Sequence, residues 1–185
     1  MGFSLAREAR LRGAEVTLIT GAATIPPPHG VRLIRVETAS EMREAVFSSL
    51  SEEAVLIMTA AVADFCPGKK KKSKIKKQGK EALTLNLVPT PDILAEVGEK
   101  DSGRFRIGFA AETGDIVKQG KKKLEGKNLH LIVANDVSSN EAGFSSPFIL
   151  PTIIERGGSL HRLPRITKEE FARRLIDIIE EQLAR

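Results

Sequence analysis

Short apolar runs rich in Val, Ile and Leu alternate along this 185-residue chain with longer amphipathic stretches, and that alternation constrains the fold most. The runs are EVTLIT at 15–20, VRLIRVE at 31–37, AVLIMTA at 54–60, RFRIGFAAE at 104–112 and LHLIVAND at 129–136. Most are β-branched or aliphatic on both sides of the pleat, the pattern of strands covered on both faces. Between them lie helical patterns. Phe3 to Arg12 stops at Gly13, and Thr38 to Leu50 opens with Thr38 and Glu41 spaced as a capping box. Others run from Thr90-Pro91-Asp92 to about Lys100, from Asp115 to Lys127 and from Lys168 to Leu183. Two short strand-like runs, around Phe148–Ile154 and Leu160–Leu163, precede the last helix. Strands alternating with helices build βαβ units and a mostly parallel sheet, so the chain reads as one α/β domain, 1–185, of three layers αβα.

The order of elements has one irregularity. Doubly wound nucleotide-binding folds begin with a strand in the middle of the sheet, whose turn feeds the first helix. Here the first pattern is already that helix. A fold of this kind therefore lacks its first strand and the turn after it.

The stretch from 64 to 88 breaks the alternation. It has turn residues and charge without periodicity and returns through LTLNLV at 83–88, so it is expected to leave the sheet as an excursion. Within it, Lys69 to Lys80 hold eight lysines and no acid. The whole chain carries a net charge of +5, but without this segment 21 basic residues face 24 acidic ones. The body is thus mildly acidic with one basic patch. A solvated charge run explains the lysines, and so does phosphate binding. Nucleic acid is a weaker reading, because single-strand binding calls for aromatic platforms and Phe65 is the only aromatic near the run, in a chain without Trp or Tyr. No apolar run approaches the length that spans a bilayer, so no membrane partner is expected. One cysteine, Cys66, allows no intrachain disulfide, and the N-terminal residues read as no leader, so the cytoplasm is expected.

Ligands in open α/β sheets sit at the carboxyl ends of strands. Ala60, Ala61 and Asp64, GFAAET at 108–113 and AND at 134–136 all fall there. Small side chains let a ligand approach backbone amides; close helix packing and a turn role for Asp64 explain the same residues structurally. Thr90 reads as an N-cap with Pro91 at the first helical position, and such an end offers free N–H groups to a phosphate or carbonyl oxygen. Lys123 and Lys127 share one helix face, which an exposed helix end also accounts for. His29, His130 and His161 are scattered, no metal-ligand spacing is present, and Cys66 reads as a buried or incidental thiol. There is no GxSxG, HExxH or Walker A loop. Backbone donors and lysines suit a nucleoside triphosphate and the transfer of its α-phosphoryl group.

AAVADF, SKIKK, LVPTPDIL, IGFAAET, KKKLEGKNLHLIVANDV and GAEVTLITGAATIPPPHGVRLIRVETASEM together resemble the phosphopantothenoylcysteine synthetase domain, in the right order and over nearly the whole chain. In bacteria that domain is usually the C-terminal half of a bifunctional coenzyme A biosynthesis flavoprotein. The resemblance implies a Rossmann-like fold and a ligase that uses CTP with Mg²⁺ to turn 4′-phosphopantothenate into an acyl-cytidylate. The amine of cysteine then attacks to give 4′-phosphopantothenoylcysteine. A nucleotide-binding homologue without ligase activity is the alternative.

Carried over by position, Met58, Thr59, Ala60 and Asp64 match the family's nucleotide-contacting strand end. Lys74 matches its phosphate-binding lysine on a mobile flap. Pro91, Asp92, Ile93 and Leu94 match the segment against the nucleotide, Phe109 a base or ribose contact, and Lys123 and Lys127 two further nucleotide lysines. Asn135 and Asp136 follow the family's AND pattern, with His130 in place of the usual aspartate, a tolerated surface change. The resemblance also implies a homodimer, with the 64–88 excursion pairing with the partner and lending its flap. Met1 matches the last methionine of a family sequence like SNxSSGKMG, so the asparagine that acts on the acyl-nucleotide is expected upstream of Met1. The flavin-binding half is absent as well, so no FMN is expected.

Overall fold

The computed structural model describes residues 1–23, 25–69, 73–76, 82–100, 103–136 and 146–184. The chain opens on α1 (Gly2–Leu11), which Gly13 ends in the left-handed region at φ 91°. β1 (Thr17–Thr20) and β2 (Arg32–Arg35) pair in parallel. α2 (Ala39–Ser49) is capped as the sequence predicts, with the Thr38 hydroxyl accepting from the Glu41 amide at 3.1 Å. Glu41 reaches back to the amide of Glu37 at 2.7 Å, one residue ahead of the cap.

β3 (Val55–Met58) leads into the excursion, where β4 (Phe65–Pro67) and β5 (Leu87–Pro89) form an antiparallel pair. The return through 83–88 forms a strand only at its end, where Leu87–Pro89 pair with β4 and the Asn86 carbonyl accepts from the Gly68 amide at 2.9 Å. α3 (Ile93–Lys100), β6 (Phe105–Glu112), α4 (Ile116–Gly126) and β7 (Leu131–Asp136) follow as expected. The remaining chain forms β8 (Phe148–Ile149), β9 (Pro151–Glu155), β10 (Leu160–Arg162), β11 (Ile166–Thr167) and α5 (Lys168–Leu183).

The main sheet has five strands in the order β10-β9-β7-β6-β3. β3, β6 and β7 run parallel, while β9 and β10 return antiparallel. Helices α1 and α5 cover one face, where Leu5, Ile107, Val133, Phe171 and Leu175 are buried together. On the other face Leu94, Leu124, Leu129 and Ile132 pack beneath α3 and α4. Gly108 in β6 makes this possible, since a Cβ there would lie 2.8 Å from Leu129 and 3.1 Å from Leu94. Gly98 of α3 is similarly constrained: a Cβ would collide with the backbone carbonyl of Lys127. Arg12 fastens α1 to α5 through Asp177 at 2.6 Å and Glu180 at 2.9 Å.

β1 and β2 stand apart from the main sheet as a two-stranded unit. Between β1 and β3 lies a cavity of about 790 Å³, floored by Leu5 and Ala9 of α1 and by Ile176 and Ile179 of α5. The cavity separates the β1–β2 pair from β3; the order 3-2-1-4-5-6 of a doubly wound sheet sets its first strand between the second and the fourth.

His130 does not occupy a free surface position, as the sequence reading has it. Its ring stacks on Phe105 with centroids 4.7 Å apart, and its Nδ1 accepts from the Arg106 amide at 3.1 Å. Burial, and then the charges of Arg106 and Arg156, hold its pKa below the ordinary 6.5. The unfolded chain takes up this proton more readily than the folded one, so stability falls as pH drops below 6.5 towards the lowered folded value.

Two measurements follow from this architecture. Amide hydrogen exchange should proceed faster in the β1–β2 pair than in β6–β7, whose backbone is buried between two helical layers; equal protection would contradict the separation. In urea titrations, His130→Asn should show a smaller loss of midpoint between about pH 7.5 and about pH 5.5 than the unaltered chain. An identical loss would mean that another group carries the acid sensitivity.

Candidate functional site

The carboxyl ends of β3 and β6 bring most of the sequence-predicted residues to one edge of the sheet. Met58 and Thr59 are half-buried there, and Ala60 and Asp64 are exposed. The Thr59 hydroxyl oxygen lies so close to Gly2 that a Cβ on Gly2 would stand 2.8 Å from it, so α1 begins against this strand end. Lys74 is exposed on the excursion. Of the lysine run, positions 70–72 and 77–80 lie outside the described residues.

The start of α3 differs from the sequence reading in a way that matters for the site. Thr90 is not the cap: its hydroxyl donates to the carbonyl of Ala63, and its amide bonds the carbonyl of Asp64 at 2.9 Å. Thr90 therefore closes the excursion. Asp92 caps the helix instead, with Oδ1 accepting from the Ala95 amide at 3.1 Å. Thr-Pro-Asp contains two capping residue types, and Pro91 fits either assignment, so composition alone could not choose between them. Ile93 and Leu94 are 1 % and 6 % exposed, so their side chains belong to the core. What they offer a ligand is the backbone at a helix N-terminus.

The two lysines predicted for the site, Lys123 in the last turn of α4 and Lys127 at its C-cap, are both paired. Lys127 Nζ sits 3.1 Å from Asp92 Oδ1 and 2.9 Å from Oδ2. Lys123 Nζ sits 2.6 Å from Glu112 Oε1 at the end of β6. Helical side chains lean towards the N-terminus of their own helix, and in a parallel sheet that is the direction of the strand carboxyl ends. Both ammonium groups therefore lie nearer the ligand edge than their backbones do. Glu112 was not singled out from sequence. The available signal was its place as the last residue of a buried strand, 11 positions before a helix-face lysine.

Phe109 lies on the opposite side of the sheet from this cluster. Strand alternation puts Phe105, Ile107 and Phe109 on the α1/α5 face, and Phe109 meets Phe171 edge-on at 6.2 Å. Glu112, with the opposite parity, faces α4. The predicted residues thus fall on both sides of the sheet, Phe109 and Thr59 with the start of α1 on one, and Asp92, Lys123 and Lys127 with the unpredicted Glu112 on the other. Asn135 is committed structurally, since its Oδ1 accepts from the Leu150 amide at 3.0 Å. Cys66 is exposed on β4, which removes the buried-thiol alternative.

Among the described residues no helix is long and apolar enough to cross a membrane. Nor do three or more His, Cys, Asp or Glu side chains among them converge as they would around a metal ion.

Comparison with known proteins gives consistent results. The family described as DNA/pantothenate metabolism flavoprotein C-terminal domain matches residues 1–183. The coenzyme A biosynthesis bifunctional protein CoaBC of Bacillus subtilis is 46% identical over 169 residues, 91% of this chain and 41% of that protein. Its counterpart in Vibrio cholerae is 40% identical over 185 residues, 99% of this chain and 46% of that protein. The chain thus spans about half the length of the curated relatives it matches. Among solved structures, the C-terminal domain of a coenzyme A biosynthesis bifunctional protein CoaBC superposes with a TM-score of 0.81 at 35% identity, over 99% of this chain and 82% of that one.

The double use of Asp92 is separable by substitution. Asp92→Asn keeps a capping acceptor and loses the charge towards Lys127, whereas Asp92→Ala loses both. Thermal or urea unfolding should show Asp92→Ala destabilised by about 1 kcal/mol and Asp92→Asn by less than half of that, because exposed ion pairs contribute little. Equal losses would mean that the ion pair, and not the cap, dominates.

Proposed function

The chain belongs to the DNA/pantothenate metabolism flavoprotein C-terminal domain family, and from that premise we propose that it is the ligase that joins 4′-phosphopantothenate to cysteine at the expense of CTP. The observation that carries this reading is the family match over residues 1–183, aligned with a strand-end edge furnished with lysines and helix N-terminal amides. In the proposed reaction a carboxylate oxygen of 4′-phosphopantothenate attacks the α-phosphorus of CTP and displaces pyrophosphate. The cysteine amine then attacks the acyl carbon of the acyl-cytidylate, and CMP leaves.

Neither step needs a nucleophile from the protein. Both need neutralisation of the triphosphate and fixed geometry, the two contributions preorganised charge and backbone donors supply. In this reading Lys123 and Lys127 meet the phosphates from α4, and Lys74 meets them from the excursion. Met58, Thr59, Ala60 and Asp64 lie along the nucleotide from the end of β3, and the backbone from Pro91 to Leu94 lies against it. Phe109 bounds the base or ribose from the other side of the sheet. Mg²⁺ accompanies the CTP phosphates, with no residue of the chain assigned to it, in keeping with its preference for phosphate and water ligands.

The same reading makes the chain a homodimer through the excursion. Phe65, Leu85 and Leu87 are 58 %, 59 % and 55 % exposed around the β4–β5 pair. A two-stranded unit is marginal in water unless something covers it, and a second copy would do so.

Pyrophosphate release from a mixture of CTP, 4′-phosphopantothenate and cysteine tests the ligase. The chain should be assayed both alone and with a segment of the SNxSSGK type joined ahead of Met1. Sustained, multiple-turnover release that requires all three substrates, with at most about one equivalent per site when cysteine is omitted, is the expected result in either form. CTP binding without release in both forms would overturn the ligase in favour of a nucleotide-binding homologue. For the dimer, light scattering should give twice the chain mass, and Leu87→Asp should return it to a monomer.

A further inference from the structure

The contact between Lys123 and Glu112 is not an ordinary surface ion pair. Such pairs contribute little because two long, solvated side chains must both be ordered. Here one partner is already fixed: the Glu112 side chain is 12 % exposed, while that of Lys123 is 42 % exposed. Glu112 is the last residue of β6, aligned with Asp136 of β7, so its backbone is held by the central pair of the sheet. Among the described residues, Lys123 is the charged partner the structure gives this carboxylate. The ammonium therefore takes its position from the sheet, although its backbone belongs to a helix surface.

We propose that Glu112 is a positioning residue, holding the Lys123 ammonium at the strand ends where the nucleotide phosphates are met. The proposal rests on the nucleotide-binding reading above and names a residue that acts through another. A lysine on an exposed helix face loses much rotamer freedom when it contacts a ligand, and a tether that orders it beforehand removes that cost from binding. The carboxylate also has an opposing effect, since it lowers the local positive charge that attracts a polyanion. Tether and charge thus push affinity in opposite directions, which makes them separable. Glu112→Gln keeps an oxygen of the same reach and discards the charge of the ion pair. Glu112→Ala discards both, and Glu112→Asp keeps the charge but shortens the reach.

Calorimetric titration with CTP at fixed ionic strength, beside thermal midpoints for each variant, is the test. Glu112→Ala should weaken CTP binding by about five- to tenfold, the scale of one ordered lysine side chain, and Glu112→Gln by no more than about twofold. Should Glu112→Ala not fold, Glu112→Asp serves in its place and should weaken binding in the same direction. In a Lys123→Ala background the Glu112 substitutions should cause no further loss of affinity, because nothing remains to be positioned; only the charge effect is left, and it acts towards tighter binding. Unchanged or tighter binding in both Glu112→Ala and Glu112→Asp overturns the proposal, as does a loss that persists undiminished without Lys123. If the unaltered chain binds no CTP, the nucleotide reading fails. If it binds CTP and Lys123→Ala leaves affinity unchanged, only the positioning role fails.

Discussion

Burial of the β6–β7 pair on both faces is the constraint from which the rest of the arrangement follows. A parallel pair with helices above and below has its backbone groups away from water, so each must be satisfied by a neighbouring strand. Leu131, Val133, Ile107 and Ile153 are buried, and β3 and β9 close the two flanks. Once β6 is enclosed, the period-two alternation of its side chains becomes a division of labour. Odd positions fill the core under α5, ending in Phe109, while even positions include Gly108, which lets two leucines close in, and end at Glu112. The two sides of the candidate site are therefore set by the parity of one strand.

That parity also explains how much could be read before the structure. Long, strongly patterned elements were legible: α5 spans Lys168–Leu183 as its apolar stripe indicates, and the Thr38 cap forms as its spacing implies. The alternation of elements also indicates a mostly parallel sheet, and β3, β6 and β7 run parallel. Less legible was anything decided by contacts between distant segments. Thr90 and Asp92 are both capping residues, and only the excursion, folding back to offer the Ala63 carbonyl, determines which one caps. The return after the lysine run is a strand only at its end, where β4 pairs with it. β11 is two residues long and has no pattern to announce it. His130 reads as a tolerated change when only its own position is considered; the stacking with Phe105 and the Arg106 amide become visible only in the fold.

The site residues divide in the same way. Strand ends and helix starts locate the edge where ligands gather, so Met58, Thr59, Asp92, Lys123 and Lys127 could be proposed from the order of elements and the family resemblance. The role each plays could not. Ile93 and Leu94 are core anchors whose backbone faces the edge, Asn135 is occupied by the β8 turn, and both helix lysines are already in the company of carboxylates. Charge counting alone describes a basic loop on an acidic body. The fold adds that the acidic body supplies counter-ions to the cations at its own strand-end edge.

Gly98 shows how little sequence freedom this edge has. The backbones of α3 and α4 approach there closely enough that no side chain fits, and one helix carries Asp92 while the other carries Lys123 and Lys127. The glycine acts as a spacer of zero thickness against the backbone of Lys127, whose ammonium reaches from there to Asp92 at the start of α3. Drift elsewhere in α3 can alter its surface without altering that separation, but any larger residue at this position would wedge the helices apart and change the reach between Asp92 and Lys127. A residue with no chemistry of its own, remote from the strand ends, would then be as intolerant of replacement over evolutionary time as the charged groups it spaces.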